Sequence, residues 1–152
     1  MTLTEKETTT IKDLQSQEEI CIQKYGKYAQ EAKDPVLKDL FNTLKAKEQE
    51  HYQSLQQVLN GTVPSCDCND EDGKNYHPAA TYTQGTQSDD KQHDCFLATD
   101  SIGTEKMVSS DYNSDVFAFS NSDIRKLLAD IQIEEQNHAE MLYHYKQVNG
   151  MS

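Results

Sequence analysis

The sequence carries the pattern Glu-x-x-His twice, first as Glu48 to His51 and again, 87 positions later, as Glu135 to His138. On an α-helix, residues three apart project side by side, so a carboxylate and an imidazole can converge on one point. The same offset relates two further pairs, Glu18 with Glu105 and Tyr25 with Tyr112. This repeat predicts two similar helical halves that each supply half of one shared site.

Apolar residues continue each pattern at helical spacing, as Leu37, Phe41, Leu44, Leu55 and Val58 do around Glu48. A chain of 152 residues has the length of one domain, residues 1–152. The spacing predicts helices over about 10–33, 35–59, 99–119 and 122–148. The pair Asp34-Pro35 separates the first two helices, because Asp can cap free amides and Pro suits the first helical position. Glu48 falls within an apolar stripe, where a charge is costly unless it is paired or bound to a cation.

The segment of about 60–98 follows no period and is rich in Gly, Pro and polar residues. It is far longer than the roughly 2 to 8 residues usual between antiparallel helices, which indicates a crossover between parallel neighbours. The expected fold is therefore all-α, a four-helix bundle with a long crossover between helices 2 and 3. Helix 1 should face helix 3, and helix 2 should face helix 4, because only then do the two halves of the site converge.

Six residues form the predicted metal site: Glu18, Glu48, His51, Glu105, Glu135 and His138. A Glu from each of two helices with Glu-x-x-His from the other two is the ligand set of carboxylate-bridged dinuclear centres in four-helix bundles. Glu48 and Glu135 are expected to bridge the metals, and four carboxylates would neutralise two divalent cations. Carboxylate and imidazole ligands suit iron or manganese. The alternative is that both patterns are surface ion pairs.

Tyr25 and Tyr112 lie two helical turns beyond the single glutamates, where each phenol could hydrogen-bond a ligand carboxylate from the opposite side of the site. The alternative is two packed core tyrosines. Three neighbouring glutamates, Glu19, Glu50 and Glu134, are expected at the surface. Without metal, burial and crowding are expected to raise the pKa values of the four ligand carboxylates.

The first hairpin, with Glu18, Tyr25 and Glu48-Gln49-Glu50-His51, resembles rubrerythrin-type proteins of the ferritin-like superfamily. The second, from Thr104-Glu105-Lys106 through Glu135-Gln136-Asn137-His138 to Asn149-Gly150-Met151, is similar to the spore coat F (Coat F domain) family. The resemblance implies a ferritin-like up-down-down-up bundle with a di-iron centre and, for rubrerythrins, peroxide reduction. The chain lacks the paired Cys-x-x-Cys of a rubredoxin domain that would deliver electrons.

Two functions follow as alternatives. In the first, two iron ions, or manganese or a mixed pair, react with a small oxidant such as peroxide or dioxygen and an unknown electron donor. In the second, the protein is a structural spore coat component that contacts other coat proteins and keeps a metal-binding or vestigial site. The oligomeric state stays open, a homodimer being one alternative.

The formal net charge of −12 argues against nucleic acid or an anionic membrane as a partner. No apolar run suggests a signal peptide or a membrane span, so the expected location is the cytoplasm or the spore coat.

The cysteines leave further alternatives. Cys66, Cys68 and Cys95, with His77, His93 and Asp94 nearby in sequence, could form a small metal site or a disulfide, or remain free thiols. Cys21 lies on the inward stripe of the first helix and is expected to fill the core.

Overall fold

The computed structural model describes residues 1–65 and 71–152. In this part of the chain there are five α-helices, one 3₁₀ turn and no strand, so the prediction of an all-α fold is confirmed. The helices are α1 (Glu5–Glu31), α2 (Pro35–Leu59), α3 (Asp72–Asn75), α4 (Asp89–Asp115) and α5 (Ser122–Val148), with the 3₁₀ turn at Val116–Ala118.

Helices α1 and α2 form the first hairpin. The side chain of Thr4 accepts from Glu7 N while the Glu7 carboxylate accepts from Thr4 N, a capping box that starts α1 at Glu5. The predicted start near residue 10 is therefore too late. Asp34 caps α2 by accepting from Val36 N, and Pro35 occupies its first turn, as the sequence indicated.

Helices α4 and α5 form the second hairpin. Ser88 caps α4 by accepting from Lys91 N, so the helix begins at Asp89, well before the predicted start near residue 99. The spacing of apolar residues did not predict the first two turns of α4, because two of their buried residues, Lys91 and Asp94, are charged. The helix ends at Asp115 rather than near residue 119, and the 3₁₀ turn leads to α5, which Asn121 caps.

Hydrogen bonds tie the connection between the hairpins to the bundle at several places. The short helix α3 packs against α5, where Gly73 N donates to the buried side chain of Asn137 at 2.8 Å. Nearer α4, the buried Asp94 carboxylate accepts from the backbone of Lys33 and Asp34 and from the Tyr82 hydroxyl. These bonds hold the turn between α1 and α2 against the start of α4.

The two hairpins meet along α1 and α4. Cross-helix hydrogen bonds join Gln17 to Asp111, Lys24 to Thr104 and Tyr28 to Asp100. Numbering therefore falls along α4 as it rises along α1, and the two helices run antiparallel. The core lies between the hairpins, and its largest fully buried side chains are Tyr25, Tyr112, Tyr145 and Phe41.

None of the helices in the described residues combines the length with the apolar character that a membrane span requires.

Candidate metal centre

The structure brings all six predicted ligand residues into one buried layer between the hairpins. Glu18 lies on α1, Glu105 on α4, and the two Glu-x-x-His pairs on α2 and α5. None of the six is more than 3 % exposed. Charged side chains buried this deeply need compensation from close partners or from cations.

The first half of the layer surrounds His51. Its Nδ1 lies 3.1 Å from Glu48 Oε2, 2.9 Å from Glu135 Oε1 and 3.7 Å from Glu18 Oε1. One ring nitrogen therefore faces oxygens from three helices. One ligand atom from each of these four residues lies within 4.8 Å of the others, a spacing that a single ion could span.

The second half repeats this arrangement around His138. Its Nδ1 lies 2.9 Å from Glu48 Oε1, 3.4 Å from Glu105 Oε1 and 3.8 Å from Glu135 Oε2. These four residues form a second group within the same 4.8 Å limit. Glu48 and Glu135 belong to both groups, and each turns one oxygen to each histidine.

Several oxygens in the layer have no hydrogen-bond donor among the described residues. They are Glu18 Oε2, Glu105 Oε2 and both carboxylate oxygens of Glu135. Glu135 Oε1 is close to His51 Nδ1 but lacks hydrogen-bond geometry. Buried acceptors without donors are costly, and a pair of cations between the carboxylates would satisfy them. The residues present therefore fit a dinuclear centre.

Without metal, protons would take up part of the negative charge of the layer. Burial and the charge of Glu48 raise the pKa of Glu18 well above its ordinary value. Burial and the charges of Glu105 and Glu48 raise the pKa of Glu135 in the same way. For Glu48 itself, burial acts to raise the pKa, but the charge of His138 and hydrogen bonds from its neighbours hold it well below the ordinary value. The expectation of raised pKa values is therefore wrong for Glu48.

The two imidazoles shift toward the charged form. Burial alone would lower the pKa of His138, but the charges of Glu105 and Glu48 raise it to about 9. The pKa of His51 is also raised well above its ordinary value, because hydrogen bonds to Glu134 and Glu48 outweigh burial. Both shifts favour protons in the same region that divalent cations would occupy, so metal binding would displace them.

Each buried tyrosine hydroxyl reaches the single glutamate of the other hairpin. Tyr25 on α1 donates to Glu105 Oε1 on α4, and Tyr112 on α4 donates to Glu18 Oε1 on α1. Both side chains are essentially inaccessible to solvent. The oxygen that accepts from each tyrosine is also the one that faces the histidine of its half, and the other oxygen of each single glutamate is buried without a donor among the described residues.

Glu134 was expected at the surface, and this prediction is wrong. Its carboxylate is half-buried and accepts a hydrogen bond from His51 Nε2, the ring nitrogen that faces away from the layer. The partner lies on the other hairpin, so no spacing within one helix reveals it. Glu19 and Glu50 are exposed, as expected.

A surface cavity of about 410 Å³ opens beside the second half of the layer. It lies between α2, α3 and α5, and its lining includes Leu44, Lys47, Tyr76, His138 and Met141. His138 is therefore the one of the two histidines that lines this cavity.

The structure describes two of the four cysteines, Cys21 and Cys95. Cys66 and Cys68 lie outside the described residues, so a metal or disulfide clip that includes them stays a prediction. Cys95 is a free, partly exposed thiol 3.9 Å from Thr99 Oγ1, and His93 Nε2 lies 3.2 Å from the backbone oxygen of Glu31. Cys21 is buried in the core, as expected, and burial raises the pKa of its thiol.

Residues 93–152 match the family model of the Coat F domain. This span begins in the second turn of α4 and includes all of α5, so it contains Glu105, Glu135 and His138. Comparisons of the chain with curated proteins and with solved structures give no match.

Proposed function

We propose that this chain is a spore coat protein in which a ferritin-like bundle binds two divalent metal ions between its helical hairpins. The observation that carries this proposal is the pair of overlapping ligand groups that share Glu48 and Glu135. Surface ion pairs do not account for such an arrangement, because all six residues are buried and several oxygens lack donors.

The ferritin-like topology is supported by the directions of the helices. Short connections join α1 to α2 and α4 to α5, and each pair packs as an antiparallel hairpin. The cross-helix bonds from Gln17 to Asp111 and from Tyr28 to Asp100 support an antiparallel α1 and α4. Together these directions correspond to up-down-down-up, and the long connection returns the chain from one end of the bundle to the other.

The proposed ligands divide into two kinds. Glu48 and Glu135 would bridge, since each turns one oxygen to each histidine, while Glu18 and Glu105 would each bind one metal. His51 and His138 would each supply Nδ1. Oxygen and imidazole donors favour iron or manganese, and four carboxylates would balance two divalent charges.

The location in the spore coat is supported by the Coat F domain match over residues 93–152. A coat component would contact other coat proteins, and bound metal would stabilise the bundle because the unfolded chain has no preformed site.

Elemental analysis of protein purified without added metal tests the proposal. We expect close to two metal ions per chain, and after chelation we expect uptake of about two Mn²⁺ or Fe²⁺ with a rise in Tm. Protein that carries no metal, takes up none and keeps its Tm would show that the layer is a protonated, metal-free core.

A second candidate function, oxidant reduction, is favoured by the cavity that reaches His138. Two bound ferrous ions would supply one electron each, which together with two protons reduce one peroxide molecule to two water molecules. The chain's own part would be to hold the ligand carboxylates through Tyr25 and Tyr112 and to exclude bulk water.

Anaerobic protein loaded with two Fe²⁺ and mixed with one equivalent of hydrogen peroxide tests this candidate. We expect consumption of the peroxide together with both ferrous ions, faster than in Glu48→Ala protein given the same iron. Equal rates in the two proteins would argue against oxidant reduction at this site, and the coat function would then be the one remaining proposal.

A further inference from the structure

The two histidines of the candidate metal centre differ in the surroundings of Nε2, the ring nitrogen that faces away from the ligand carboxylates. His51 turns Nδ1 to the ligand carboxylates and donates from Nε2 to Glu134, whose side chain is only 17 % exposed. His138 also turns Nδ1 to carboxylates, at 2.9 Å from Glu48 and 3.4 Å from Glu105. In the described part of the chain, however, no hydrogen bond reaches its Nε2, and the residue lines the surface cavity.

The sequence repeat is broken at the residue that makes this difference. Glu134 immediately precedes Glu135, and the residue that immediately precedes Glu48 is Lys47. Lys47 lines the same cavity as His138, but its ammonium group cannot accept a hydrogen bond from an imidazole. It pairs instead with the exposed Glu50, at 3.3 Å.

A carboxylate behind a histidine ligand has two effects. It fixes the tautomer, so that the nitrogen facing the metal keeps its lone pair, and it makes that nitrogen a stronger donor. Removing such a partner typically lowers metal affinity by about 10- to 100-fold. Only the His51 half of the layer has this support.

We propose that Glu134 is a positioning residue that makes the two metal positions unequal. The position at His51 fills first and binds more tightly, and the position at His138, beside the cavity, is the one that exchanges metal. This inference rests on the proposed function, because it requires that both positions bind metal.

Calorimetric titration with Co²⁺ separates the two positions. His138→Ala protein keeps the position at His51, and His51→Ala protein keeps the position at His138. We expect the His138→Ala protein to bind Co²⁺ about 10- to 100-fold more tightly than the His51→Ala protein. Adding Glu134→Ala to the His138→Ala protein should remove this difference in Co²⁺ affinity. Adding it to the His51→Ala protein should change the Co²⁺ affinity by less than about twofold.

Three variants serve as controls. Glu134→Gln keeps an oxygen that accepts from Nε2 and should restore part of the lost affinity. Lys47→Glu places a carboxylate on the His138 side and should tighten binding in the His51→Ala background. Glu19→Ala removes an exposed glutamate of α1 and should change neither position.

Proton NMR of the Co²⁺-loaded parent gives a second readout that needs no ligand variant. The His51 Nε2 proton should give a paramagnetically shifted signal that exchanges slowly with solvent, and Glu134→Ala should abolish this signal. Parent protein should also bind Co²⁺ in two resolved steps, which Glu134→Ala should merge.

Different outcomes overturn different conclusions. A parent that takes up no Co²⁺ overturns the proposed function and this inference with it. A parent that binds two Co²⁺ with equal affinity, or that loses affinity equally at both positions in Glu134→Ala, overturns the inference alone.

Discussion

His51 and His138 stack across the metal layer with ring centroids 5.8 Å apart and ring planes 17° from parallel. They come from different hairpins, and both turn Nδ1 toward the shared carboxylates of Glu48 and Glu135. Two charged imidazoles this close would repel each other, so the surrounding carboxylates must stabilise any protons they hold. This relationship makes the metal-free protein sensitive to pH.

The metal-free protein is expected to lose stability as pH rises. The folded pKa of His138, about 9, exceeds the unfolded value of about 6.5, so the folded state holds an extra proton between these values. The contribution of this proton to the free energy of unfolding is present in full below about pH 6.5 and is lost as pH rises through about 9. The raised pKa values of Glu18 and Glu135 act in the same direction from about pH 4.3 upward.

Urea unfolding of chelator-treated protein between pH 5.5 and 9.5 measures this loss, which should reach a few kcal/mol. His138→Gln protein should show a shallower decline. A free energy of unfolding that rises across this range would contradict the expected sign.

Glu48→Ala protein should lose the stabilisation by metal. Binding to the folded state alone contributes about 3 to 4 kcal/mol at 100 to 1,000 times Kd, or on the order of 10 °C in Tm for a domain of this size. Without Glu48, each half loses one of its two proposed bridging oxygens and keeps only the one from Glu135, so Mn²⁺ should leave the Tm nearly unchanged. Thermal scans with and without Mn²⁺ measure the difference.

Glu50→Ala is the matched control, because Glu50 lies two residues further along α2 with its side chain 64 % exposed. It should respond to Mn²⁺ like the parent. If both variants respond like the parent, the six-residue site is wrong.

Tyr112→Phe protein should be less stable than the parent. The change removes the hydroxyl that donates to Glu18, whose other carboxylate oxygen already lacks a donor among the described residues. Leaving a buried acceptor unpaired costs about 1 to 3 kcal/mol, which urea unfolding resolves. Tyr143→Phe is the control, since Tyr143 is 56 % exposed and its change should fall within about 0.5 kcal/mol. Equal effects of the two changes would argue against a role for the buried bond.

Two glycines are expected to respond in opposite ways to alanine. A Cβ at Gly73 would clash with Glu140 Oε2 and would lie 2.8 Å from Glu140 Cβ, so Gly73→Ala should loosen α3 from α5. Hydrogen exchange should then rise at residues 72–76. A Cβ at Gly103, in the middle of α4, meets nothing within 4 Å, and Gly103→Ala should raise the free energy of unfolding by about 1 kcal/mol. Faster exchange at 72–76 in the Gly103 variant as well would contradict this explanation.

The sequence predicted the layer of six residues because each half repeats the same chemistry at the same helical spacing. It also placed Tyr25 and Tyr112 on the correct faces, since two turns along a helix return to the same side. Glu134 could not be found in this way. Its partner is on another helix, and an isolated Glu beside a ligand position looks like ordinary surface.

The helix starts were missed for a different reason, although their capping signals were present. Thr4 with Glu7, and Ser88 followed by Asp89 and Asp90, are both typical of helix N-termini. The turns that follow bury polar and charged groups such as Lys91 and Asp94, which a search for apolar spacing passes over. These groups are tolerated because the chain's own backbone supplies their partners.

The exchange of tyrosine hydroxyls between the hairpins bears on how the molecule folds. Tyr25 completes the surroundings of Glu105, and Tyr112 completes those of Glu18, so neither hairpin alone can bury its own glutamate with its bond made. A solitary hairpin would have to leave that carboxylate in water or bury it unpaired. The two halves are therefore interdependent despite their similarity, and the protein should unfold in one cooperative transition with no stable single-hairpin intermediate.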